Sequence, residues 1–224
     1  YTDKRRFLIF DYCGNFEYFR EHKEGYEARE TKTLSENIFG KQIKIVMALQ
    51  ESAFVGKEYQ AWRDEMVDIC HKQVASLNPD LIAVKLRMQV VEKYKKRDAF
   101  VSLSEGDKGE LLTQIAPLVR SEETDEFAKR FDNFMYGLIL AHIEQLPSFK
   151  YAKKQLCDMA VLLESKASIP QIKAKLPILE EIHTDAFWDA NDILLFEKVR
   201  KELRNLIRFL DEDRGEQKRI VTKL

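Results

Sequence analysis

Cysteine is scarce in this sequence. Cys13, Cys70 and Cys157 are the three present, they lie far apart, and their number is odd. The clustered spacing of a disulfide framework or a thiolate metal site is missing, so reduced thiols and a cytoplasmic setting are expected. A surplus of one charge is missing too. With 37 Lys and Arg against 38 Asp and Glu, the formal net charge is −1. The chain as a whole is therefore no electrostatic attractor for nucleic acid, and any DNA contact would need a local patch. The longest apolar stretch, Phe134 to Ile143, contains His142 and falls short of the roughly 20 residues a helical membrane span requires, so no membrane partner is expected.

The motifs of self-sufficient chemistry are also lacking. A phosphate-cradling loop needs two glycines flanking four residues, then Lys and Ser or Thr, so that backbone amides surround the phosphates. Gly40-Lys41 and Gly56-Lys57 are lone pairs without the first glycine or the hydroxyl, and read as helix punctuation. Asp158 followed by Glu164-Ser165-Lys166 imitates the acidic pair and lysine of a metal-dependent nuclease. Such a core sets Glu and Lys on a strand, where alternate residues share a face. Here the pattern is helical, where i and i+2 diverge by about 200°. His22, His71, His142 and His183 have no paired metal-ligand spacing. His142 alone falls on an apolar helical face, as a core or rim histidine does. No Gly-x-Ser-x-Gly turn offers a nucleophile. Two basic stretches with an aromatic, Lys93 to Arg97 and Lys150 to Lys154, could touch a nucleic-acid backbone, but both sit at helix ends, where basic residues also face water or complement the helix dipole. No catalytic residue, metal ligand or cofactor-binding residue is assigned.

What is present is apolar periodicity. Hydrophobic residues make up 45% and charged ones 33%, with 14 Phe and 8 Tyr, a globular composition. Arg6 to Tyr12, RFLIFDY, has the pattern of a short buried strand, ended by Gly14-Asn15. Helical patterns follow. Ser35 can cap a helix reaching about Phe54, and Gly56 breaks it. Tyr59, Trp62, Met66, Ile69 and Val74 continue to Leu77. Asn78-Pro79 restarts the chain. A helix from Asp80 to about Arg97 is apolar on most sides and is expected to be central. Ser104 to Gly109 reads as a turn before a helix that stops ahead of Pro117. Thr124 caps a helix whose Phe127, Phe131, Phe134 and Leu138 stack on one face, closed by Pro147. Another helix covers about Ser148 to Lys166, and Pro170 and Pro177 frame two short pieces. All five prolines fall at boundaries. The predicted class is all-α, an irregular multi-helix domain with one short N-terminal strand.

The last long helix, about Asn191 to Leu210, presents Phe196, Val199, Leu203, Ile207 and Leu210 as an apolar stripe. Arg200, Arg204 and Arg208 advance by only about 40° every four residues and form a basic ridge beside it, with Lys201 nearby. These four are the candidate contacts for a partner or for DNA. The reading favoured over a dock is that these arginines lie over the apolar edge and pair with Glu197 or Asp211, since exposed pairs of this kind are common.

Three stretches resemble the C-terminal part of the R (restriction) subunit of type I restriction-modification enzymes: RFLIFDYCGNFEYF (Arg6 to Phe19), LPILEEIHTDAFWDA (Leu176 to Ala190) and FEKVRKELRNLIRFLD (Phe196 to Asp211). Their order and separation match. The resemblance implies a parent with a nuclease, a two-lobed ATP-driven DNA translocase and a C-terminal helical region, an ATP-dependent type I site-specific deoxyribonuclease using ATP and Mg²⁺. The chain, opening at Tyr1 inside an apolar run and without a start Met, is then read as a piece of that parent. Residues 1–21 would close the second, RecA-like motor lobe, with Phe7 to Asp11 as its last strand. Residues 22–224 would form the helical domain, with two subdomains meeting near 117 as an option. No catalytic residue carries over, and this chain by itself is not expected to be an enzyme. The implied role is to couple the motor to the methyltransferase and specificity subunits, with DNA engaged through the parent; the alternative is a module that guides the translocating duplex.

Overall fold

The computed structural model of the chain describes residues 32–120 and 123–210. Among the described residues there are eleven α-helices and no strand. The expected strand, Phe7 to Asp11, and the boundary near 21 lie outside them. The described residues from Thr33 to Leu210 belong to one compact unit.

Helix α1 spans Leu34–Ala48. Thr33, not Ser35, caps it, because Thr33 is extended and its hydroxyl accepts the Glu36 amide at 3.1 Å. The helix ends at Ala48, well short of Phe54. Gly56 precedes α2, Lys57–Ala75, which buries Trp62, Met66, Cys70 and Val74.

The predicted central helix over 80–97 is not central. It is broken into α3, Ile82–Lys85, and α4, Met88–Tyr94, at Arg87, whose φ of −118° and ψ of 19° are not helical. In α3 only Val84 is buried, while Leu81, Ile82 and Leu86 face solvent. An apolar surface on most sides of a helix requires neighbours on most sides, and after the break α3 packs chiefly against α4. Ser104 to Gly109 is the start of a helix rather than a turn. Ser104 and Asp107 form a reciprocal capping box at the head of α5, Glu105–Glu110. A π turn, Leu111–Ile115, and a 3-10 turn holding Pro117 follow.

Helix α6, Glu126–Ile143, is the central element. Asp125 rather than Thr124 caps it, accepting from Phe127 and Ala128 amides at 2.9 and 3.2 Å. Of the predicted stripe, Phe131 and Leu138 are buried; Phe127 and Phe134 are half-buried. The same helix also buries Ala128, Met135, Ile139 and Ala141. Its main neighbour is α1, so residues on both sides of 117 share one core. Its end is a Schellman motif: the Leu146 amide donates to Ala141 O at 2.8 Å and the Gln145 amide to His142 O at 3.1 Å. Gln145 occupies the left-handed position, with φ 52°.

The remaining helices are α7 (Ser148–Glu164), α8 (Pro170–Lys173), α9 (Leu176–Ile182), α10 (Asp185–Asp189) and α11 (Ile193–Leu203). Helix α11 is shorter than the 191–210 expected. After Leu203 the chain tightens to i→i−3 bonds, with the Leu206 amide donating to Leu203 O and Phe209 to Leu206 O, and ends in a 3-10 turn, Ile207–Leu210. Leu206 is thereby buried, while Ile207 and Leu210 only flank the core. Within the described residues no helix is long and apolar enough to cross a membrane.

Candidate functional site

The sequence placed Arg200 beside the apolar stripe of α11; the structure carries it inside. Its side chain is 9% exposed. Nε and Nη2 donate to Glu197 Oε2 and Oε1, both at 2.7 Å, a bidentate pair less than one turn back. Nη1 donates to Asp132 Oδ1 on α6, also at 2.7 Å. The guanidinium carbon lies 4.9 Å from the centre of the Tyr136 ring. One turn further on, Arg204 donates from Nη2 to Asp132 Oδ2 at 2.8 Å and to Glu123 Oε2 at 2.9 Å. Lys201 Nζ meets both oxygens of Glu65 on α2, at 2.7 and 2.8 Å, and reaches Glu197 at 3.7 Å. Arg208 stands apart, exposed, with its guanidinium over the Phe209 ring.

Three of the four basic residues therefore form one network that ties α11 to α6 and α2. It is not the exposed ridge that helical geometry alone suggests. Of the partners expected from the sequence, Glu197 takes part and Asp211 lies outside the described residues. Burial opposes the charge of Arg200, but Glu197, Tyr136 and Asp132 outweigh it and hold its pKa above the ordinary arginine value. The hydrogen bonds to Asp132 do the same for Arg204. Glu123 is held below the usual carboxylate range by the Asp125 amide and by Arg204. Burial pushes the Tyr136 phenol up. Arg200 and Arg204 are thus paired at short range with carboxylates from three other points of the chain. The arrangement is suited to fixing helices against one another.

Sequence reasoning missed Asp132, Glu123 and Glu65. Asp132 did leave a signal: it shares the face of Met135, Tyr136 and Ile139 at i+3, i+4 and i+7, a lone carboxylate on a buried surface, which demands a cation. A cleft of about 420 Å³ borders the network, lined in part by Gln42, Gln73, Tyr136, Arg204 and Asn205. The Oε1 atoms of Gln42 and Gln73 are buried acceptors without a donor among the described residues.

His142 lines a second cleft, of about 660 Å³, with Tyr59, Gln145, Phe149 and Asn191. Its ring packs 4.9 Å from Phe149 and edge-on at 5.3 Å from Phe196. Burial lowers its pKa, while a hydrogen bond to the Asn191 backbone works the other way. Nearby, Tyr59 OH donates to Asp192 Oδ1 at 3.0 Å, and the same oxygen caps α11 through the Leu194 amide. The arrangement is a rim histidine whose ring is satisfied.

The residues that imitate a nuclease do not converge. Asp158 is exposed, Glu164 lies 3.1 Å from His183 Nε2, and Lys166 donates to Phe209 O. Gly40-Lys41 lies inside α1, where a Cβ on Gly40 would come 3.1 Å from Leu112, and Lys41 Nζ donates to Asn133 O. Gly40 thus serves close packing rather than punctuation; Gly56 does punctuate, as the cap of α2. Among the described residues no group of three or more His, Cys, Asp or Glu is placed to hold a metal ion. Comparison with protein-family models, with curated proteins and with solved structures finds no match for this chain.

Proposed function

We propose that the chain is a non-catalytic helical domain of the R subunit of a type I restriction-modification enzyme, coupling the ATP-driven DNA motor to the methyltransferase core. The observation that carries this reading is the ordered resemblance of Arg6 to Phe19, Leu176 to Ala190 and Phe196 to Asp211. The packing of the last two supports it. Phe187 and Trp188 lie 5.8 and 5.7 Å from Phe196, ring centre to ring centre, and Trp188 Nε1 donates to Ile182 O at 2.7 Å. Stretches that build one aromatic cluster must keep matching shapes, because close-packed interiors tolerate little change in volume. In this reading Arg200 and Arg204 brace the domain. Arg208, exposed, and Lys201, exposed while paired with Glu65, would meet an acidic surface of the methyltransferase.

The test is the double variant Lys201→Gln, Arg208→Glu in the full R subunit. Lys201→Gln gives up an exposed pair with Glu65 that contributes at most about 1 kcal/mol and sets no second carboxylate beside the buried Glu197, so the variant should fold. Assembly with the methyltransferase and restriction should both be lost. Unimpaired assembly with a reduced DNA affinity and a shallower salt dependence would instead assign the duplex-guiding role. Unchanged assembly, DNA affinity and restriction would remove these residues from any dock. A helicase arginine motif immediately upstream of Tyr1 in the parent sequence would bear out the family independently.

A further inference from the structure

Among the described residues two arginines are buried, and they are treated differently. Arg200 is surrounded by carboxylates. Arg63, on α2, is 7% exposed, and among the described residues no carboxylate lies within ion-pair distance of it. Its hydrogen bonds all go to neutral acceptors. Nε donates to Val46 O at 3.2 Å; Nη2 donates to Gln50 Oε1 at 2.8 Å and to the carbonyls of Phe100 and Val101 at 3.0 Å each. Nη1 takes no acceptor among the described residues. Burial lowers the pKa of Arg63, partly offset by the field of Asp64. Asp64 itself is directed to Arg97, at 3.7 Å. A guanidinium withdrawn from water without a counter-charge is costly, and the position invites an anion.

The surroundings are already arranged for one. Arg63 lines a cleft of about 580 Å³ together with Gln50, Val55, Gln60, Val101 and Ser102. Gln50 is fully committed, accepting from Arg63 and the Leu103 amide and donating to Leu103 O. The Gln60 amide nitrogen is held by Leu49 O and Phe54 O. The guanidinium is thus fixed in place before any ligand arrives, which removes the ordering cost of binding. At the mouth, Val55 and Val101 are 74% and 58% exposed, two aliphatic side chains flanking a cationic floor.

We propose that this cleft is a carboxylate-recognition site, in which Arg63 Nη1 and the Ser102 hydroxyl receive an acidic side chain of a partner polypeptide while Val55 and Val101 hold aliphatic residues beside it. The chemistry favours a carboxylate over a phosphate. Phosphate sites gather several cations or the amides of a helix N-terminus; here one guanidinium nitrogen is free, no lysine lines the cleft, and the rim is apolar. A duplex backbone carries no aliphatic groups to occupy that rim. The inference stands independently of the family reading above.

The test uses the chain as it is, titrated at constant ionic strength with 3-methylbutanoate, its neutral isostere 3-methylbutanamide, and inorganic phosphate. Binding is read from the nuclear magnetic resonance signals of Arg63 Nε–H and the Val101 and Ser102 amides. The expected result is saturable shifts with the carboxylate and none with the amide. Phosphate should bind more weakly. In Ser102→Asp, which sets a fixed carboxylate at the mouth of an exposed loop, affinity should fall by about tenfold or more and the melting temperature should rise, because the guanidinium then has its counter-charge. The proposal is overturned if the carboxylate gives no saturable shift, if the amide matches it, if phosphate binds more tightly, or if Ser102→Asp binds as the parent does.

Discussion

Replacing Arg200 by Met removes the centre of the network and leaves its acids in place, which makes the consequence calculable. Asp132 loses one of its two arginines but keeps Arg204 at 2.8 Å. Glu197, with a side chain only 6% exposed, loses its bidentate partner and retains Lys201 at 3.7 Å. Breaking a buried pair by removing one partner costs about 3–5 kcal/mol, chiefly because a charge is stranded out of water. With Lys201 still in reach, the lower end applies, about 3 kcal/mol. At a urea m-value of about 2 kcal/mol/M, the midpoint should fall by about 1.5 M. Arg204→Met should cost less, about 1 kcal/mol, because Arg204 is 24% exposed and Asp132 keeps Arg200. Replacing Asp132, Glu197 and Arg200 together by apolar residues of similar volume should recover most of the loss, since no charge is then left unpaired. Urea unfolding followed by circular dichroism at neutral pH measures all three. A cost below about 1 kcal/mol for Arg200→Met, or a larger cost for Arg204→Met than for Arg200→Met, would refute the account of the network.

Two further substitutions probe the second cleft. Gln145 holds a left-handed conformation at the end of α6 that disfavours any residue with a Cβ, so Gln145→Gly should stabilise the domain by about 1 kcal/mol in the same assay; a loss would show that the glutamine side chain makes a stabilising contact. The pKa of His142 is lowered on folding, so the unfolded chain takes up its proton first. The contribution of the neutral ring is complete above the unfolded value of about 6.5 and is lost as the pH falls from there through the folded value. Stability should decline across that window in the parent and less steeply in His142→Phe; parallel pH profiles would contradict the assignment.

Much of the architecture is local information. The spacing of Trp62, Met66 and Val74, or of Phe131 and Leu138, is set by helix geometry and survives in any tertiary context. The helical class, the punctuation at Gly56 and the separation of the nuclease-like residues Asp158 and Lys166 could accordingly be read from neighbouring residues, whereas Asn78-Pro79 forms a turn, with the Asp80 amide donating to Asn78 Oδ1, and the next helix starts only at Ile82. Cap identities were less legible, because Thr33 and Ser35, or Thr124 and Asp125, offer equivalent oxygens and the backbone chooses between them. The centre of the fold was misjudged because an apolar surface reports a capacity for burial and not its use. The 80–97 segment turns at Arg87 and leaves Leu81, Ile82 and Leu86 exposed, while α6 lies between α1, α7 and α11.

The fate of the charges was decided by tertiary structure alone. Helical geometry aligned Arg200, Arg204 and Arg208 on one side of a helix but could not say what faced them. Their partners come from far along the chain: Asp132 is 68 residues from Arg200, and Glu65 is 136 from Lys201. Arg63 shows the same limit in reverse. On the sequence it is one charged position among many in α2, and only the folded chain withdraws it from water without bringing an acid to meet it. A side chain's period along a helix follows from its own few neighbours, whereas its electrostatic environment depends on every element packed against it.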